Sequence, residues 1–549
     1  MRFQLESAAN VNIVFDTPGL GWRLISKGSA KLLFAGTVLG IDEHGLLKLL
    51  QSAHSNLDAV TALVQQFKGH FGIVYQDERK IVAVTDCIAS YPIFYRSFDN
   101  VCNIATSANV LGPDCTIDKS QAKAIMLSGY AVGRGTVFWE ISSLGHGTVF
   151  FQNGDQKNYI ISSYYRYSPW RKPYQSDRDH LKQKLVDVTM QGIKRVLEQA
   201  SNRQIAVPLS AGRDSRLVVS ALKHLGAKNV TCYSYGPRGN FEGEIAKKIS
   251  ERLGFNWVFV EVTPKIQQKF WKTQIPEEFA NRSNDFMAAP VFHDLFVTDS
   301  LLKQRVISKD ALIVNGNSGD FITGNHIPMD LVAVNSNCSE NNVDDLMNSM
   351  LQKHYSMWVS LRNNENLCSI KTLLMSQLET IGGMDGDKSL VALHEYLEMT
   401  NRQIKWVIKR QKIYDFFSLG WALPMWDVDF MSFWERVPLQ HKLQQNLFVE
   451  MLNEQNWGGV WKDIPGNEAR FVSPKWMRYG VRPFFKAIHA PLGKAHWHRF
   501  EKRFLDYWLD ELGLYGPFGY MGILREKDMA RNCLAPHIRV YARDMGFED

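Results

Sequence analysis

The residues best suited to chemistry in this chain stand in one short stretch, VPLSAGRDSRLV, at residues 207–218. A β-branched run leads into a small polar turn, and apolar residues at helical spacing follow. Ser210 and Ser215 supply hydroxyl groups, while Ala211 and Gly212 leave the backbone open to a closely bound anion. Because the exposed N–H groups of a helix N-terminus attract phosphate, the turn is typical of a phosphate-binding loop.

Asp214 is the unusual member of this turn. A carboxylate does not itself hold phosphate, so its presence indicates a bridging cation, most naturally Mg²⁺, which prefers oxygen ligands. The GxxxxGK[ST] pattern of a Walker A loop is absent from the sequence. An ordinary helix N-cap, formed by Ser or Asp after a core strand, is the alternative that needs no ligand.

The elements that must position this turn alternate between helix and strand. The predicted strands are QIAVPLS, NVTCYSYG and NWVFVEV, and each is preceded by an amphipathic helical pattern. Such alternation implies right-handed crossovers and a parallel sheet. Ligands of such sheets bind at the carboxyl ends of the strands, which is where the turn lies.

The chain changes character on either side of this region. Residues 1–166 consist of short strands with polar turns between them, interrupted by helical patterns around EHGLLKLLQSA and LDAVTALVQQF. The segment YSPWRKPYQSDRD at 167–179 carries two prolines and many charges, as linkers do. From about residue 340 onward the pattern is mainly helical and rich in Trp, Met and Phe.

Composition limits the possible partners. A chain of 549 residues predicts two or three domains, and its net charge of +7 without a long basic run gives no support for a nucleic-acid surface. Seven cysteines without a CxxC pair favour buried thiols in a reducing compartment. The sequence starts without a signal-peptide pattern and has no run of 18 apolar residues, so we expect a cytoplasmic protein without a membrane span.

Six segments together resemble one known family. The turn at 207–218 is similar to the SGGxDS pyrophosphate loop of the ATP pyrophosphatases and, more narrowly, to that of asparagine synthetase, with Ala211 in place of the first glycine. Five further segments follow the same family in order and spacing: KGHFGIVYQDERKIVAVTDCIASYPIFYR, GTVFWEISSLGHG, TCYSYGPRGNFEGEIAKKISERLG, LIVNGNSGDFITGN and ALPMWDVDFMSFWERVP. The resemblance covers most of residues 60–480.

This resemblance implies the fold and the domain boundaries. It implies an Ntn-hydrolase-like αββα sandwich of the glutamine amidotransferase type at 1–166 and a linker at 167–180. An α/β domain of the adenine-nucleotide α-hydrolase (PP-loop ATP pyrophosphatase) type, with a helical C-terminal region, is implied at 181–490. A C-terminal helical extension is expected at 491–549.

The resemblance also implies an ATP- and Mg²⁺-dependent reaction that forms an amide. A carboxylate is activated as an acyl-adenylate with release of pyrophosphate, and an amine then displaces AMP. Asp214 and Asp320 are implied as the metal ligands. The implied nucleotide-binding residues are Leu209, Ser210, Ala211, Gly212, Arg213, Asp214, Ser215, Tyr235, Asn315 and Gly316.

The sequence departs from the family in the amine-handling parts. Glutamine-hydrolysing members expose a cysteine as residue 1, but position 2 here is Arg and the NGExYN motif is absent. We therefore expect no glutaminase activity, and ammonia or an amine must come from solution, from a partner subunit or from the substrate. Asn317 stands where asparagine synthetases have a glutamate, so Glu395 and Glu398 are the candidate bases, with solvated helix glutamates as the alternative reading.

The basic residue that relatives place beside the pyrophosphate is predicted to be Lys475, with Arg478, Arg482 and Lys486 as alternatives, or else a surface residue. The substrate is expected to be a small-molecule or peptide carboxylate. Amidation of a sugar acid of a surface polysaccharide is the preferred function, and a lasso-peptide macrolactam cyclase is the alternative enzyme. A non-catalytic scaffold is the alternative of another class. Trp421, Trp426 and Trp434 are read either as an aromatic substrate wall or as core residues.

Overall fold

A computed structural model of the chain describes residues 3–7, 10–112, 114–154, 158–334, 343–383, 388–466, 476–509, 516–525 and 534–548. Within these ranges, no helix is both long enough and apolar enough to cross a lipid bilayer.

The N-terminal unit is built from two β-sheets and three helices. Its strands are β1 (Phe3–Ser7), β2 (Asn10–Ile13), β3 (Trp22–Lys27), β4 (Ala30–Gly36), β5 (Phe71–Gln76), β6 (Lys80–Thr85), β7 (Phe94–Phe98), β8 (Val101–Ala105), β9 (Ile141–Ser143), β10 (Thr148–Asn153) and β11 (Asn158–Ser163). Its helices are α1 (Glu43–Ser52), α2 (Leu57–Val64) and α3 (Lys119–Ser128). One sheet has the antiparallel order β1-β11-β10-β6-β5-β4-β3, and the other has the order β2-β8-β7-β9.

Strand β4 shows how these elements form four layers. Leu33 and Ala35 point between the two sheets, where they share a core with residues of the smaller sheet. Leu32 and Phe34 alternate to the opposite face and pack against α1 and α2. Helix α3 covers the far side of the smaller sheet by packing against Phe94. This αββα sandwich confirms the predicted fold of the N-terminal unit.

The second unit has a five-stranded, fully parallel sheet. Its strands are β12 (Ile205–Pro208), β13 (Val230–Gly236), β14 (Asn256–Glu261), β15 (Leu312–Val314) and β16 (Gly420–Ala422), in the order β14-β13-β12-β15-β16. The first strand, β12, is central, with β13 on one side and β15 on the other. In such sheets a crevice forms where the strand order reverses, at the carboxyl ends of the strands.

Helices surround this sheet and make up most of the other described residues of the second unit. They are α4 (Arg178–Ala200), α5 (Arg213–His224), α6 (Phe241–Leu253), α7 (Pro264–Phe270), α8 (Ile275–Ser283), α9 (Leu295–Lys303), α10 (Gly319–Ile322), α11 (Met329–Ala333), α12 (Val343–His354), α13 (Asn364–Glu379), α14 (Leu390–Glu398), α15 (Lys412–Phe416), α16 (Val428–Trp434), α17 (Leu439–Lys442), α18 (Asn446–Gln455), α19 (Arg482–His489), α20 (Lys494–Phe504), α21 (Asp506–Leu509), α22 (Tyr520–Arg525) and α23 (Ala535–Asp544). A π-helical stretch (Met399–Val407) and a 3₁₀ turn (Ile408–Gln411) join α14 to α15, so the chain stays helical from 390 to 416. The parallel sheet and the helical C-terminal region confirm the predicted class.

The two units meet through an aromatic stack. The Trp421 ring stacks on His70 and Tyr91 with centroid distances of 5.4 Å each, and Trp421 Nε1 donates to Asp415 Oδ1 at 3.0 Å. Tyr91 donates its hydroxyl to the same oxygen at 3.2 Å. Trp426 and Trp434 are buried in the core. Trp421, Trp426 and Trp434 are therefore packing residues and build no substrate wall.

The predicted boundaries between domains remain predictions. Within the proposed linker, Tyr167 is fully buried in the core shared by both units, and α4 begins at Arg178.

Asp415 generates a prediction about stability and pH. Burial raises the pKa of its carboxyl from 3.8 to about 7, against the lowering effect of its hydrogen bonds from Trp421 and Tyr91. The folded protein therefore holds a proton that the unfolded chain releases, so the free energy of unfolding falls as pH rises from about 4 to about 7. We expect Asp415→Asn, which keeps both hydrogen bonds, to be more stable than the wild type at pH 8 by on the order of 4 kcal/mol and similar to it near pH 4.

Denaturant unfolding of both proteins across this pH range measures the difference. Asp310→Asn, at an exposed aspartate, is the matched control and should behave like the wild type. A wild-type stability that does not fall between pH 4 and 7 relative to Asp415→Asn contradicts the prediction.

Candidate active site

The turn between β12 and α5 is folded around its two serines. The Ser210 N–H donates to Ser215 Oγ at 3.1 Å, and the Gly212 N–H donates to Ser210 Oγ at 3.1 Å. The N-cap residue of α5 is Gly212, and among the described residues no side chain caps this helix. The alternative that needs no ligand, an N-cap formed by a Ser or Asp side chain, is therefore not observed. The first N–H groups of α5 are left for an anion.

The sheet brings Asp214 and Asp320 together although 106 positions separate them. Strands β12 and β15 are neighbours. The helices α5 and α10 therefore start side by side at the carboxyl ends of these two strands. The Asp320 N–H donates to Asp214 Oδ2 at 3.0 Å. Both carboxylates predicted as metal ligands thus lie at the mouth of the phosphate-binding turn.

Two glycines make this approach of the loops possible. A Cβ on Gly316 would lie 2.6 Å from the carbonyl carbon of Asp214 and 2.7 Å from the Ser215 nitrogen. A Cβ on Gly319 would lie 2.6 Å from Asp214 Oδ1 and 2.2 Å from Met425 Sδ. Side chains at either position would push the two loops apart, so glycine is required at both.

The charges at this site fit a divalent cation. Burial and the neighbouring Asp320 carboxylate raise the pKa of Asp214 to about 8. Burial also raises the pKa of Asp320, but the hydrogen bond and charge of His326 bring it below its usual value. Two adjacent carboxylate groups beside a phosphate-binding turn are the oxygen donor set that Mg²⁺ prefers. Asp214 and Asp320 would hold such an ion.

His326 is a member of this site that sequence reasoning missed. Its Nε2 lies 3.0 Å from Asp320 Oδ2, and its Nδ1 contacts Glu398 Oε1. Burial lowers the pKa of His326, but the hydrogen bonds with both carboxylates raise it to about 9. At neutral pH the ring is an imidazolium held between two carboxylates. It follows Asp320 by six residues without any recognisable motif, so the sequence carries no signal for it.

Glu398 was expected to face the cleft, but its side chain does not. All nine residues of α14 are buried, and the Glu398 side chain is fully enclosed. Burial raises its pKa, but His354 and His326 lower it well below the usual value. Lys353 Nζ and Gln403 Nε2 also donate to its carboxylate, at 2.9 Å and 3.1 Å. Glu398 therefore reaches the site through other side chains, His326 beside Asp320 and Gln403 beside Ser318.

Glu395 is not a solvated helix glutamate either. Its carboxylate is buried and forms an ion pair with Lys442 Nζ at 2.5 Å. Burial raises its pKa, and the Lys442 ammonium opposes this increase. The enclosure of α14 corrects the expectation that Glu395 and Glu398 face the cleft directly.

A second group of side chains offers ligand atoms for a metal. Atoms of His354, His394 and Glu398 lie within 4.8 Å of one another, and no residue that the structure describes hydrogen bonds to the His394 ring. The Lys353 ammonium already contacts the Glu398 oxygen that faces His354. Because a cation there would compete with an ammonium, we assign no metal to this group.

The predicted adenosine-site residues lie on a hydrogen-bond network at the carboxyl ends of β13 and β15. Tyr235 donates its hydroxyl to Asp294 Oδ1 at 2.6 Å, and Tyr414 donates to Asp294 Oδ2 at 3.1 Å. Asn315 Nδ2 donates to the Tyr414 hydroxyl at 3.1 Å. Leu209 is buried, and its carbonyl accepts from Ser234 Oγ at 2.7 Å. Sequence reasoning found Leu209, Tyr235 and Asn315 but not Asp294 and Tyr414.

The basic residues of the site take different roles. Arg213 is exposed and donates to Gln445 Oε1 at 3.0 Å. Arg216, which sequence reasoning did not single out, is buried and donates to carbonyl oxygens on two segments: Ala211 in the turn, and Val460, Ile464 and Pro465. The segment that contains Val460, Ile464 and Pro465 therefore lies beside the turn. Residue 466 is the last described residue before residue 476. Lys475 follows nine residues later, outside the described residues, and its role remains a prediction.

Asn317 lies between these groups and is partly exposed. Its neighbour Ser318 has a left-handed backbone with φ +66° and donates its hydroxyl to Gln403 Oε1 at 2.7 Å. Gln403 also donates to Glu398. The loop that carries Asn317 is therefore tied to the helical region through Gln403.

Comparison with known proteins shows which families and structures the chain is similar to. Residues 193–454 match the asparagine synthase family. No curated protein matches the chain closely. The glutamine phosphoribosylpyrophosphate amidotransferase of B. subtilis, complexed with ADP and GMP, aligns at 9% identity over 54% of this chain and 63% of its own length, with a TM-score of 0.18. The alignment therefore spans less than two thirds of that enzyme. The NH3-dependent NAD synthetase of Campylobacter jejuni aligns at 14% identity over 38% of this chain and 99% of its own, with a TM-score of 0.19.

The close approach at Gly316 generates a prediction. Gly316→Ala places a methyl group within 2.6 Å of the Asp214 backbone, so we expect it to lower the free energy of unfolding by about 1–3 kcal/mol. Gly480→Ala is the control, because a Cβ there meets nothing within 4 Å. Denaturant unfolding measures both variants. Equal stability of Gly316→Ala and the wild type contradicts the tight approach of the two loops.

Proposed function

We propose that this chain, whose residues 193–454 form a domain of the asparagine synthase family, is an ATP-dependent ligase that forms an amide. A substrate carboxylate attacks the α-phosphate of ATP and gives an acyl-adenylate and pyrophosphate. An amine then attacks the acyl carbon, and AMP leaves. The observation that carries this proposal is the uncapped N-terminus of α5 beside the paired carboxylates Asp214 and Asp320.

In the first step the turn binds the phosphates. The N–H groups at the start of α5 and the hydroxyls of Ser210 and Ser215 are the donors for the pyrophosphate that leaves. Mg²⁺, when bound by Asp214 and Asp320, would supply positive charge for the phosphates. Lys475 is proposed to add a further positive charge. Tyr235, Asn315 and the Leu209 backbone are proposed to line the adenosine pocket, with Asp294 and Tyr414 holding them in place.

In the second step the site handles the amine without a base at position 317. Asn317 cannot accept a proton at neutral pH. Without a metal ion the carboxylates on both sides raise the pKa of His326 to about 9, and both of its ring nitrogens are already engaged by them. Glu398 and Glu395 are enclosed and already paired. We infer that Glu398 orients His326 and that the amine must reach the acyl-adenylate in its neutral form.

The N-terminal unit is proposed to be a retained fold without glutaminase chemistry. Asp86 accepts hydrogen bonds from the N–H groups of Phe71, Ile88 and Ser90 at 2.8–3.0 Å, so it holds a turn. Burial and the Asp86 charge raise the pKa of the Cys87 thiol well above its usual value, which leaves little reactive thiolate. Free ammonia, a partner subunit or an amine on the substrate would then supply the nitrogen.

The acyl substrate is proposed to be a sugar acid of a surface polysaccharide. A lasso-peptide cyclase differs in its nucleophile, which is a peptide α-amine. Mass spectrometry of products separates these possibilities: ammonia should be incorporated into a uronic acid, whereas a cyclase loses water from one peptide. Titration calorimetry with ATP separates both from a non-catalytic scaffold, which would bind no nucleotide.

The adenylation step gives the first test of this function. We expect AMP and pyrophosphate as stoichiometric products, and we expect Asp214→Asn and Asp320→Asn each to lower turnover by at least about 100-fold with the fold intact. Asp310→Asn is the matched control at an exposed position and should retain full turnover. Formation of ADP and phosphate, or near wild-type turnover of either variant at saturating Mg²⁺, would refute the assignment.

The missing base gives the second test. Ammonium is almost entirely protonated at neutral pH, so turnover with free ammonia should rise with pH in step with the small neutral fraction. Asn317→Glu should raise activity near neutrality and flatten the profile, whereas Asn317→Gln, the uncharged control, should not. A wild-type profile that is flat from pH 6 to 9, with chemistry rate-limiting, would contradict the argument.

A further inference from the structure

A cavity lies where the two units meet, away from the turn between β12 and α5. It has a volume of about 570 Å³, which is typical of sites for small molecules. The loops around Ala89, Gly133 and Gly145 of the N-terminal unit form one wall. Helix α13 and the helical stretch 390–416 form the other. No residue of the turn 209–215 lines it.

The charge of this cavity is strongly one-sided. Five lysine and arginine side chains line it against a single carboxylate, that of Asp285. The basic residues are Arg134, Arg166, Lys405, Lys409 and Lys412. The one histidine in the wall, His146, adds no charge, because burial lowers its pKa to about 4.

Two of the lysines share the one carboxylate. Lys409 Nζ donates to Asp285 Oδ1 at 2.5 Å, and Lys412 Nζ donates to Asp285 Oδ2 at 2.9 Å. Burial raises the pKa of Asp285, but both ammonium groups lower it to about 2. Asp285 therefore forms its ion pairs with these two lysines.

Lys405 is left without a counter-ion. Its side chain is buried, and Nζ donates to the carbonyl oxygen of Ala131 at 2.7 Å. No carboxylate among the described residues forms an ion pair with it. Burial lowers the pKa of Lys405 to about 7. An ammonium is almost never buried without a partner, because removing it from water costs several kcal/mol unless a negative charge compensates.

The remaining polar wall suits a hydroxylated or otherwise polar body. Hydroxyl groups of both units line the cavity: Ser90, Ser143, Ser163, Ser376, Thr380 and Thr400. We infer that this interdomain cavity binds a compact anion with at least two negative charges, carried by carboxylate or phosphate groups, and that Lys405 is its central contact. The site is separate from the one proposed for ATP and adds a second ligand to the protein.

The test uses two probes on the full chain in magnesium-free buffer, citrate for carboxylates and inorganic phosphate for phosphates. Titration calorimetry at constant ionic strength should show one citrate or phosphate site in the wild type, and the tighter probe identifies the preferred class. Lys405→Met should weaken binding at least tenfold. Its melting temperature should not fall, because the substitution removes a buried unpaired charge. Arg166→Gln, at the half-buried edge of the cavity, should also weaken binding and serves if Lys405→Met fails to fold.

Lys80→Met is the matched control, since Lys80 is another buried lysine that donates to a backbone carbonyl, that of Ala53. It should leave the affinity unchanged. Ser215→Ala, in the turn between β12 and α5, should also leave citrate binding in place, because that turn does not line the cavity. Absence of binding by both probes, or equal affinity of the wild type and Lys405→Met, would overturn the inference. Loss of citrate binding in Ser215→Ala with Lys405→Met unaffected would assign the anion to the turn and also overturn it.

Discussion

The pairing of β12 with β15 is the constraint on which the rest of the site depends. It sets two loops from distant parts of the chain side by side, and the missing side chains of Gly316 and Gly319 let them touch. Two carboxylates then face one another at a cost, which the raised pKa of Asp214 records. Repulsion between two adjacent carboxylates does not stabilise the fold. A site for cations and phosphates, in contrast, needs the two carboxylates side by side.

The helical stretch 390–416 links these two loops to other parts of the molecule. One side of it holds Glu398, which fixes His326 and through it Asp320. The other side presents Lys405 and Lys409 to the interdomain cavity. Gln411 and Tyr414 near its end contact Asn315. A single helical segment thus connects through His326 to the carboxylates proposed as metal ligands, contacts Asn315 of the proposed adenosine site and lines the cavity shared with the N-terminal unit.

Sequence patterns predicted the features that depend on residues close together in the chain. The strand periodicity and the turn at 207–218 are contiguous patterns, so the strand-rich N-terminal unit and the parallel sheet could be predicted from them. The αββα sandwich and the pairing of Asp214 with Asp320 were predicted from the family resemblance. His326 follows Asp320 without a recognisable motif, and Asp294 and Arg216 act mainly through partners that are distant in the chain, so no spacing reveals them. Glu395 and Glu398 were placed in the cleft because a single helix pattern does not show that every face of α14 is covered.

The π-helical stretch Met399–Val407 has a consequence for how this protein can change. Each residue of an α-helix advances the side chains by about 100°. Removal or insertion of one residue between Glu398 and Lys405 would therefore swing one set of contacts away from its partners while the other stayed in place. We expect lineages of such proteins to vary in length in the loops on either side, while the spacing inside this helical stretch is inherited as a unit. If the N-terminal unit is exchanged for that of another protein, the helical stretch 390–416 must be exchanged with it. Otherwise the face of this stretch that contacts the N-terminal unit must be redesigned.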